Sequence, residues 1–475
     1  EEVEQRLRDA EYWLAFDGDG AAAGMIVEDE ASFQVLPATI ALHRANHASY
    51  QGDNAAAVKF AELALELLPE EDLMLRAQAV AMVGLTSWAL GDLQAAHKAL
   101  IDWMDSTLQM GIPLFTIASA FALADISVAQ GRLQDAINTY DEALRLAQDV
   151  DQHLLPITAH HHLGLAMLHH EMGEEKKAAH HLQISTDLGR KSTLIDWPYR
   201  SRIAHAHLKE NAGELDAALA LLDEAKRVYI ANPVPDVRPV EALSAAIYLK
   251  QGRLELAQEW AREQDLAIND VLSYLNEFEH LTLARVLIAE STETGDERAL
   301  QQAESLLERL LEAAEEGNRM GSVIEILIQQ ALAYLAGGDI TSALAPLQRA
   351  FTLAEPEGYG RIFINEGPSM AQLLSAAAAQ GIMPRYTAKL LTAFPSAEPQ
   401  QAESFIPHSN LVDPLSNREL EVLHLIAAGL TNQQIADRLY LSPHTVKVHT
   451  RNIYSKLDVH HRAQAVARGK ELGII

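Results

Sequence analysis

Residues 131–147, GRLQDAINTYDEALRLA, contain the pattern that decides the fold. A glycine is followed by a polar residue, and Ala136 stands five positions after the glycine. Glycine can adopt the left-handed backbone conformation that ends one helix, and the polar side chain can cap the next. A small alanine lets two helices cross closely, while Tyr140 and Ala143 continue the same apolar face. The stretch therefore predicts the turn and the second helix of a helical hairpin.

The same pattern recurs along most of the chain, with successive glycines 39 to 43 residues apart. The glycine–polar pairs are Gly52-Asp53, Gly91-Asp92, Gly131-Arg132, Gly173-Glu174, Gly213-Glu214, Gly252-Arg253, Gly295-Asp296 and Gly338-Asp339. An alanine follows at the same distance in every unit but one. After Gly295 the corresponding Ala303 comes three residues late, which predicts a short loop insertion. We expect an all-α solenoid of about eight units over residues 36–355.

These units resemble tetratricopeptide repeats, in which glycine and alanine hold such positions. They are about 40 residues long rather than the usual 34, so hairpins of HEAT or bacterial-regulator type remain open as the subclass. Arrays of this kind present a long concave surface that usually binds a partner. We therefore expect a small-molecule or protein signal on that surface, and a scaffold without a ligand remains open.

Residues 414–475 predict a separate domain of four short helices, the last from about Arg462 to Leu472. Residues typical of helix ends separate them, namely Ser416 with Glu419, Gly429, Thr431, and Ser442 with Pro443. The apolar positions expected to face inward are Leu420, Leu423, Ile426, Ile435, Ala436, Leu439, Val446, Ile453 and Leu457.

The third of these helices carries a candidate face for base recognition. With the buried positions set aside, Lys447, Val448 and Arg451 point to one outward side. Lysine and arginine suit guanine O6 and N7 in the major groove, and valine suits a thymine methyl group. Hydroxyl, amide and ammonium groups around this face can contact phosphates, and the candidates are Thr431, Asn432, Ser442, Thr445, Asn452 and Lys456.

The ordered residues of this domain resemble the LuxR-type helix-turn-helix domain. Its L-T-N-x-x-I-A pattern matches Leu430 to Ala436, its S-x-x-T-V-K-x-H matches Ser442 to His449, and its I-x-x-K-L matches Ile453 to Leu457. The resemblance implies that the third helix is the recognition helix and that the fourth makes a dimer contact. It implies double-stranded DNA as a partner, self-association on DNA, and RNA polymerase as a further partner.

The charge distribution agrees with a DNA-binding C-terminus. The whole chain has a net charge of −29, but residues 414–475 hold eight Lys and Arg against five Asp and Glu, a charge of +3. The remaining residues hold 29 basic and 61 acidic side chains, a charge of −32. The acidic part should repel a polyanion, so contact with DNA is expected from the basic end alone.

Residues 353–367, LAEPEGYGRIFINEG, resemble the end of the repeat region in the MalT-like regulators, also called the LAL group. In that group an ATP-binding domain precedes the repeats, so this chain, which begins at Glu1, is expected to be the C-terminal part of a longer protein. ATP would then belong to the upstream domain, with no cofactor in this chain. The expected divisions are a helical cap at 1–35, the array at 36–355, a capping turn and helices at 356–394, a linker at 395–413, and the DNA-binding domain at 414–475.

Several chemistries are not supported by the sequence. It contains no cysteine, no apolar run that approaches the roughly 20 residues of a membrane-spanning helix, no basic-then-apolar layout of a secretory signal at its start, no G-x-x-x-x-G-K-[ST] loop and no G-x-S-x-G elbow. We therefore expect a cytoplasmic protein without enzymatic activity. The clustered histidines lack the spacing and the carboxylates of a zinc site, so no metal is expected; they are His160, His161, His162, His169, His170, His180, His181, His205 and His207.

These features together predict a transcriptional regulator, more specifically an activator, in which the repeat array senses a signal and controls the DNA-binding domain. Two alternatives remain open. The first is an interaction scaffold whose DNA-binding domain is masked. The second is the C-terminal part of an ATP-dependent signalling switch.

Overall fold

A computed structural model describes residues 2–14, 28–150, 156–191, 195–230, 234–394, 417–439, 443–457, 459 and 461–471. They fall into two compact units, 1–394 and 395–475. Within the described ranges every regular element is helical, which confirms the all-α prediction.

Eight antiparallel hairpins make up most of the first unit, each with its turn at one of the repeat glycines. They are α2 (Glu30–Tyr50) with α3 (Asn54–Leu67), α4 (Leu73–Leu90) with α5 (Leu93–Gln109), α6 (Pro113–Ala129) with α7 (Leu133–Val150), α8 (Ala159–Glu171) with α9 (Glu175–Gly189), α10 (Trp197–Asn211) with α11 (Leu215–Val228), α12 (Val240–Lys250) with α13 (Leu254–Glu263), α14 (Glu277–Thr294) with α15 (Glu297–Glu316), and α16 (Met320–Ala336) with α17 (Ile340–Ala354). Helix α1 (Glu2–Leu14) precedes them, and α18 (Arg361–Ile364), α19 (Pro368–Ala379) and α20 (Pro384–Leu391) follow.

The eight glycines all have the left-handed conformation predicted for them, with φ between +69° and +83°. The polar residue that follows acts as a side-chain cap where it is aspartate. Asp53, Asp92 and Asp339 each accept the N–H of the third residue on, at 2.9 to 3.0 Å. At Glu174, Glu214 and Arg253 no such bond forms, so the capping prediction is wrong for these longer side chains.

The alanines of the pattern are buried in the array. Each of the eight is at most 4% exposed, including Ala136 and Ala303. The loop insertion predicted after Gly295 is absent, because Asp296 caps α15 directly and the helix begins at Glu297 as in the other units. Ala299 and Ala303 of α15 are both buried.

The first half of the array, at units two, three and four, contacts the second half and the short helix that follows it. Gly91, which ends α4, lies against Tyr274 in the 3₁₀ turn Tyr274–Asn276 that precedes α14, and a Cβ on this glycine would come 2.8 Å from the Tyr274 Cβ. The end of α6 packs on the start of α16, where a Cβ on Gly321 would lie 2.7 Å from the Val128 carbonyl oxygen. The end of α8 contacts α18. The repeat pattern predicted a long concave surface but no contact between distant units, and the structure shows such contacts at these three units.

The stretch after α17 both seals the last hairpin and extends to the fourth unit. Phe351, Phe363 and Tyr386 form a cluster of edge-to-face rings with centroids 5.2 to 6.0 Å apart. The Tyr386 hydroxyl donates to the Tyr359 carbonyl oxygen at 2.8 Å. The sequence predicted a capping turn over this stretch, whereas the contact of its short helix α18 with α8 was not predicted.

One helix in the described ranges, α4, is long and apolar enough to cross a membrane by length and composition. It packs between α3 and α5, and its Trp88 is 2% exposed. Core helices have the same composition, so this feature is weak evidence for a membrane span.

Candidate nucleic-acid interface

Four helices form the second unit: α21 (Asn417–Ala427), α22 (Asn432–Leu439), α23 (Pro443–Lys456) and α24 (Arg462–Glu471). Their buried core contains Leu423, Ile426, Ile435, Ala436, Val446, Ile453 and Leu457, all predicted to face inward, together with Val422 and Ala465, which were not. Leu420 is only partly buried, and the Leu439 side chain lies outside the described residues.

The turn between α21 and α22 has two of the predicted devices. Gly429 has φ +87°, and its N–H donates to the Ile426 carbonyl oxygen, which ends α21. Thr431 caps α22 reciprocally with Gln434, because each accepts the backbone N–H of the other, at 3.3 and 2.9 Å. Ser416, predicted to cap α21, lies outside the described residues.

Helix α23 presents the candidate base-contacting residues on its outward side. The Lys447 and Arg451 side chains are exposed and Val448 is partly exposed, whereas Val446, Thr450 and Ile453 are buried on the opposite side. The structure thus brings two long cationic donors and one apolar side chain onto a single helix face.

The candidate phosphate contacts are placed less uniformly. Asn452 is partly exposed, and Thr431 is exposed although its hydroxyl is engaged with Gln434. Asn432 accepts from the Arg462 guanidinium at 3.4 Å. The Lys456 ammonium is paired with Glu419 at 3.1 Å. Ser442 and the Thr445 side chain lie outside the described residues.

Arg462 is a structural residue of this unit that sequence reasoning missed. From the first turn of α24 it donates to the carbonyl oxygens of Ile426 (3.3 Å) and Leu430 and to the Asn432 side chain. One guanidinium thus fixes the α21–α22 turn to α24. A lone basic residue at a helix start gives no sequence signal for such a role.

Three of the clustered histidines of the first unit, His161, His162 and His169, each contact a polar neighbour. Buried His161 contacts the Ile117 carbonyl oxygen at 2.8 Å, and burial lowers its pKa to about 3. The Nδ1 atoms of His162 and His181 are 2.9 Å apart, and burial lowers the pKa of His162 to about 4. His169 pairs with Glu174 at 2.7 Å. Among the described residues, no group of three or more His, Asp or Glu is arranged to hold a metal ion.

An array of helical hairpins followed by this four-helix unit defines a helix-turn-helix protein with a helical-repeat domain. A family model for the "MalT-like TPR region" matches residues 38–380, and one for "Bacterial regulatory proteins, luxR family" matches residues 413–468. The chain belongs to the family of MalT-like regulators with a C-terminal LuxR-type domain.

Individual proteins show the same likeness. The HTH-type transcriptional regulator MalT of Vibrio cholerae is 25% identical over 474 residues, which cover 94% of this chain and 50% of that protein. The chain thus spans about half the length of this curated relative. A crystal structure of a Rap protein complexed with Competence and Sporulation Factor aligns with a TM-score of 0.49 and 16% identity, over 75% of this chain and 98% of that one. The apo form of RapI aligns with a TM-score of 0.40 and 14% identity, over 77% and 94%.

Proposed function

We propose that this chain binds duplex DNA sequence-specifically through α23 and regulates transcription, as an activator, from the cytoplasm. The observation that supports this most directly is the outward face of α23, where Lys447, Val448 and Arg451 lie together while the opposite face is fixed in the core. Lys447 suits a guanine edge, Val448 suits a thymine methyl group, and Arg451 suits a second guanine. Family membership supports the same role, which is regulatory rather than catalytic.

We propose further that phosphate contacts come from Thr431, Asn432, Ser442, Thr445, Asn452 and Lys456, and that two copies associate on DNA. Hydroxyl, amide and ammonium groups are the donors that position a protein on the sugar–phosphate backbone. For Lys456 this contact competes with its pairing to Glu419. RNA polymerase is the partner that activation requires.

The repeat array is proposed to sense the signal, either a small molecule or a protein, and to control the DNA-binding unit. The support is the size of the array and its family membership. To test DNA binding, the full chain is used to select duplexes from a random library. The affinity for the selected duplexes is then measured at two salt concentrations. Recovery of a shared motif with salt-sensitive binding supports the proposal; recovery of unrelated sequences with salt-insensitive binding contradicts it.

Deletion of residues 414–475 distinguishes the regulator from the alternative of a scaffold with a masked DNA-binding domain. A regulator loses promoter activity, whereas a scaffold retains its partners. ATP-dependent control by an upstream domain is tested by the reading frame before Glu1, where a G-x-x-x-x-G-K-[ST] motif is either present or absent.

A further inference from the structure

The segment Glu357–Ile362, EGYGRI, contacts the fourth hairpin of the array, and we name these residues the clasp. The Glu171 carboxylate at the end of α8 accepts two backbone N–H groups of the clasp, from Gly360 at 3.1 Å and from Ile362 at 2.9 Å. These partners are about 190 residues apart in the sequence. One side chain therefore joins the end of the array to its middle.

Three further contacts surround this carboxylate. The Arg361 guanidinium pairs with Glu175 at the start of α9. The Glu357 carboxylate accepts the backbone N–H of Gln134, in the first turn of α7, at 3.1 Å. Gly358 lies over Met172, where a Cβ would come 2.8 Å from the methionine Cε, and its φ of +87° independently favours glycine. The clasp thus matches the surface of α7, α8 and α9 in both shape and charge.

The clasp differs in kind from the other two contacts between the halves of the array. At Gly91 with Tyr274 and at Gly321 with Val128, the contact is close van der Waals packing. At the clasp the packing of Gly358 on Met172 is joined by hydrogen bonds and by the ion pair of Arg361 with Glu175, whose side chain is 52% exposed. The Arg361 Nε is buried without a hydrogen-bond partner, which offsets part of the gain. The exposed ion pair of Arg361 with Glu175 can be exchanged for water or another ligand at small net cost, and the hydrogen bonds that buried Glu171 loses on release are replaced by hydrogen bonds to water.

We propose that the clasp is a releasable latch that holds the two halves of the array together at unit four, and that its displacement from α8 and α9 opens the array there. In the closed form α18 lies on α8. In the open form the surface formed by Glu171, Glu175 and the start of α7 becomes accessible. This inference concerns the array alone and does not depend on DNA binding.

Hydrogen exchange of the full chain, read by mass spectrometry, tests the contact. The peptide covering 357–363 should exchange slowly in the wild type, and Glu171→Ala should accelerate it at least tenfold because two amides lose their common acceptor. Glu171→Gln retains a side-chain oxygen and should keep the protection. Arg349→Glu, which breaks the ion pair of Arg349 with Glu315 between α17 and α15, is the matched control and should change nothing in this peptide. An unprotected wild-type peptide, or an unchanged rate in Glu171→Ala, overturns the inference.

Because Glu171→Ala could disturb the fold itself, a charge swap provides a second route. Arg361→Glu alone should accelerate exchange of the clasp, and combining it with Glu175→Arg should restore protection. A general loss of folding would not be rescued by the second substitution. Failure of the swap to restore protection contradicts the assigned pair.

Opening is measured separately from the contact. The chain has no cysteine, so spin labels can be attached at Lys176→Cys on α9 and Ser369→Cys on α19, both exposed positions. The expected distance distribution is narrow in the wild type, and longer and broader in Glu171→Ala. If exchange accelerates while the distance stays the same, the clasp is a contact but not a latch, and the proposal is overturned.

Discussion

The Lys456 ammonium lies 3.1 Å from the Glu419 carboxylate and joins the last turn of α23 to the first turn of α21. The Glu419 side chain is 5% exposed and Lys456 is 23% exposed, so the pair is largely shielded from water. The sequence predicts Lys456 as a phosphate contact because it flanks the candidate recognition face. Its pairing indicates a second role, which is to fix the orientation of α23 in its unit.

These two roles make different predictions for Lys456→Ala. If the pair orients α23, the variant should lose about 1–2 kcal/mol of stability in the second unit, between the values for exposed and buried pairs. Hydrogen exchange of α21 and α23 peptides in the full chain measures this without DNA, with exposed Lys470→Ala as the control. If hydrogen exchange in Lys456→Ala is unchanged while the slope of log affinity for DNA against log salt concentration falls by about one, Lys456 is a phosphate contact alone.

The outward face of α23 should determine affinity for a specific site. Lys447→Ala or Arg451→Ala is expected to cost about 1–3 kcal/mol of specific binding, because each removes a base contact. Titration of the selected duplex with the full chain measures this. Arg385→Ala removes the same charge from an exposed position in the first unit and should leave binding unchanged. If both α23 variants bind like the wild type, α23 is not the recognition helix.

Packing between the halves of the array depends on the absence of a side chain at Gly321. In a helix, replacing glycine by alanine normally stabilises the folded protein by up to about 1 kcal/mol. Here the new methyl group would meet the Val128 backbone oxygen at 2.7 Å, so Gly321→Ala should instead destabilise by about 1–3 kcal/mol. Chemical denaturation of the full chain gives the sign, and the neighbouring Ser322→Ala serves as control. A stabilised Gly321→Ala would show that α6 and α16 do not pack closely in solution.

The sequence predicted the local features of this protein well because they follow local rules. A left-handed glycine, a small residue at a crossing and an apolar stripe are each properties of a few neighbouring residues, and Gly131 and Ala136 have the predicted conformation and burial. The contacts of Glu171 with Gly360 and of Arg462 with Leu430 join segments that no periodicity relates. The aspartate caps were predictable, whereas Glu174 and Arg253 show that a polar residue in the same position does not suffice.

The latch should also respond to pH through Glu171. Burial raises the pKa of its carboxyl to about 7 in the closed array, although the two N–H donors of the clasp act in the opposite direction. Released into water, the same carboxyl should return towards its ordinary pKa near 4.5. The closed form then binds the proton more tightly than the open form. Closure is therefore most favoured below about pH 4.5, and it weakens as the pH rises from about 4.5 to 7.

Other charged or titratable groups face this site, namely Arg361 in the clasp, Glu325 of α16, and Tyr359 and Tyr386, whose pKa values burial raises far above this window. Nearby His170 pairs with Glu175, and burial lowers its pKa. The distance between labels at Lys176→Cys and Ser369→Cys should therefore be longer at pH 8 than at pH 5.5. Glu171→Gln cannot ionise and should give the short distance at both values. If the labelled wild type and this variant respond to pH alike, another group controls the change.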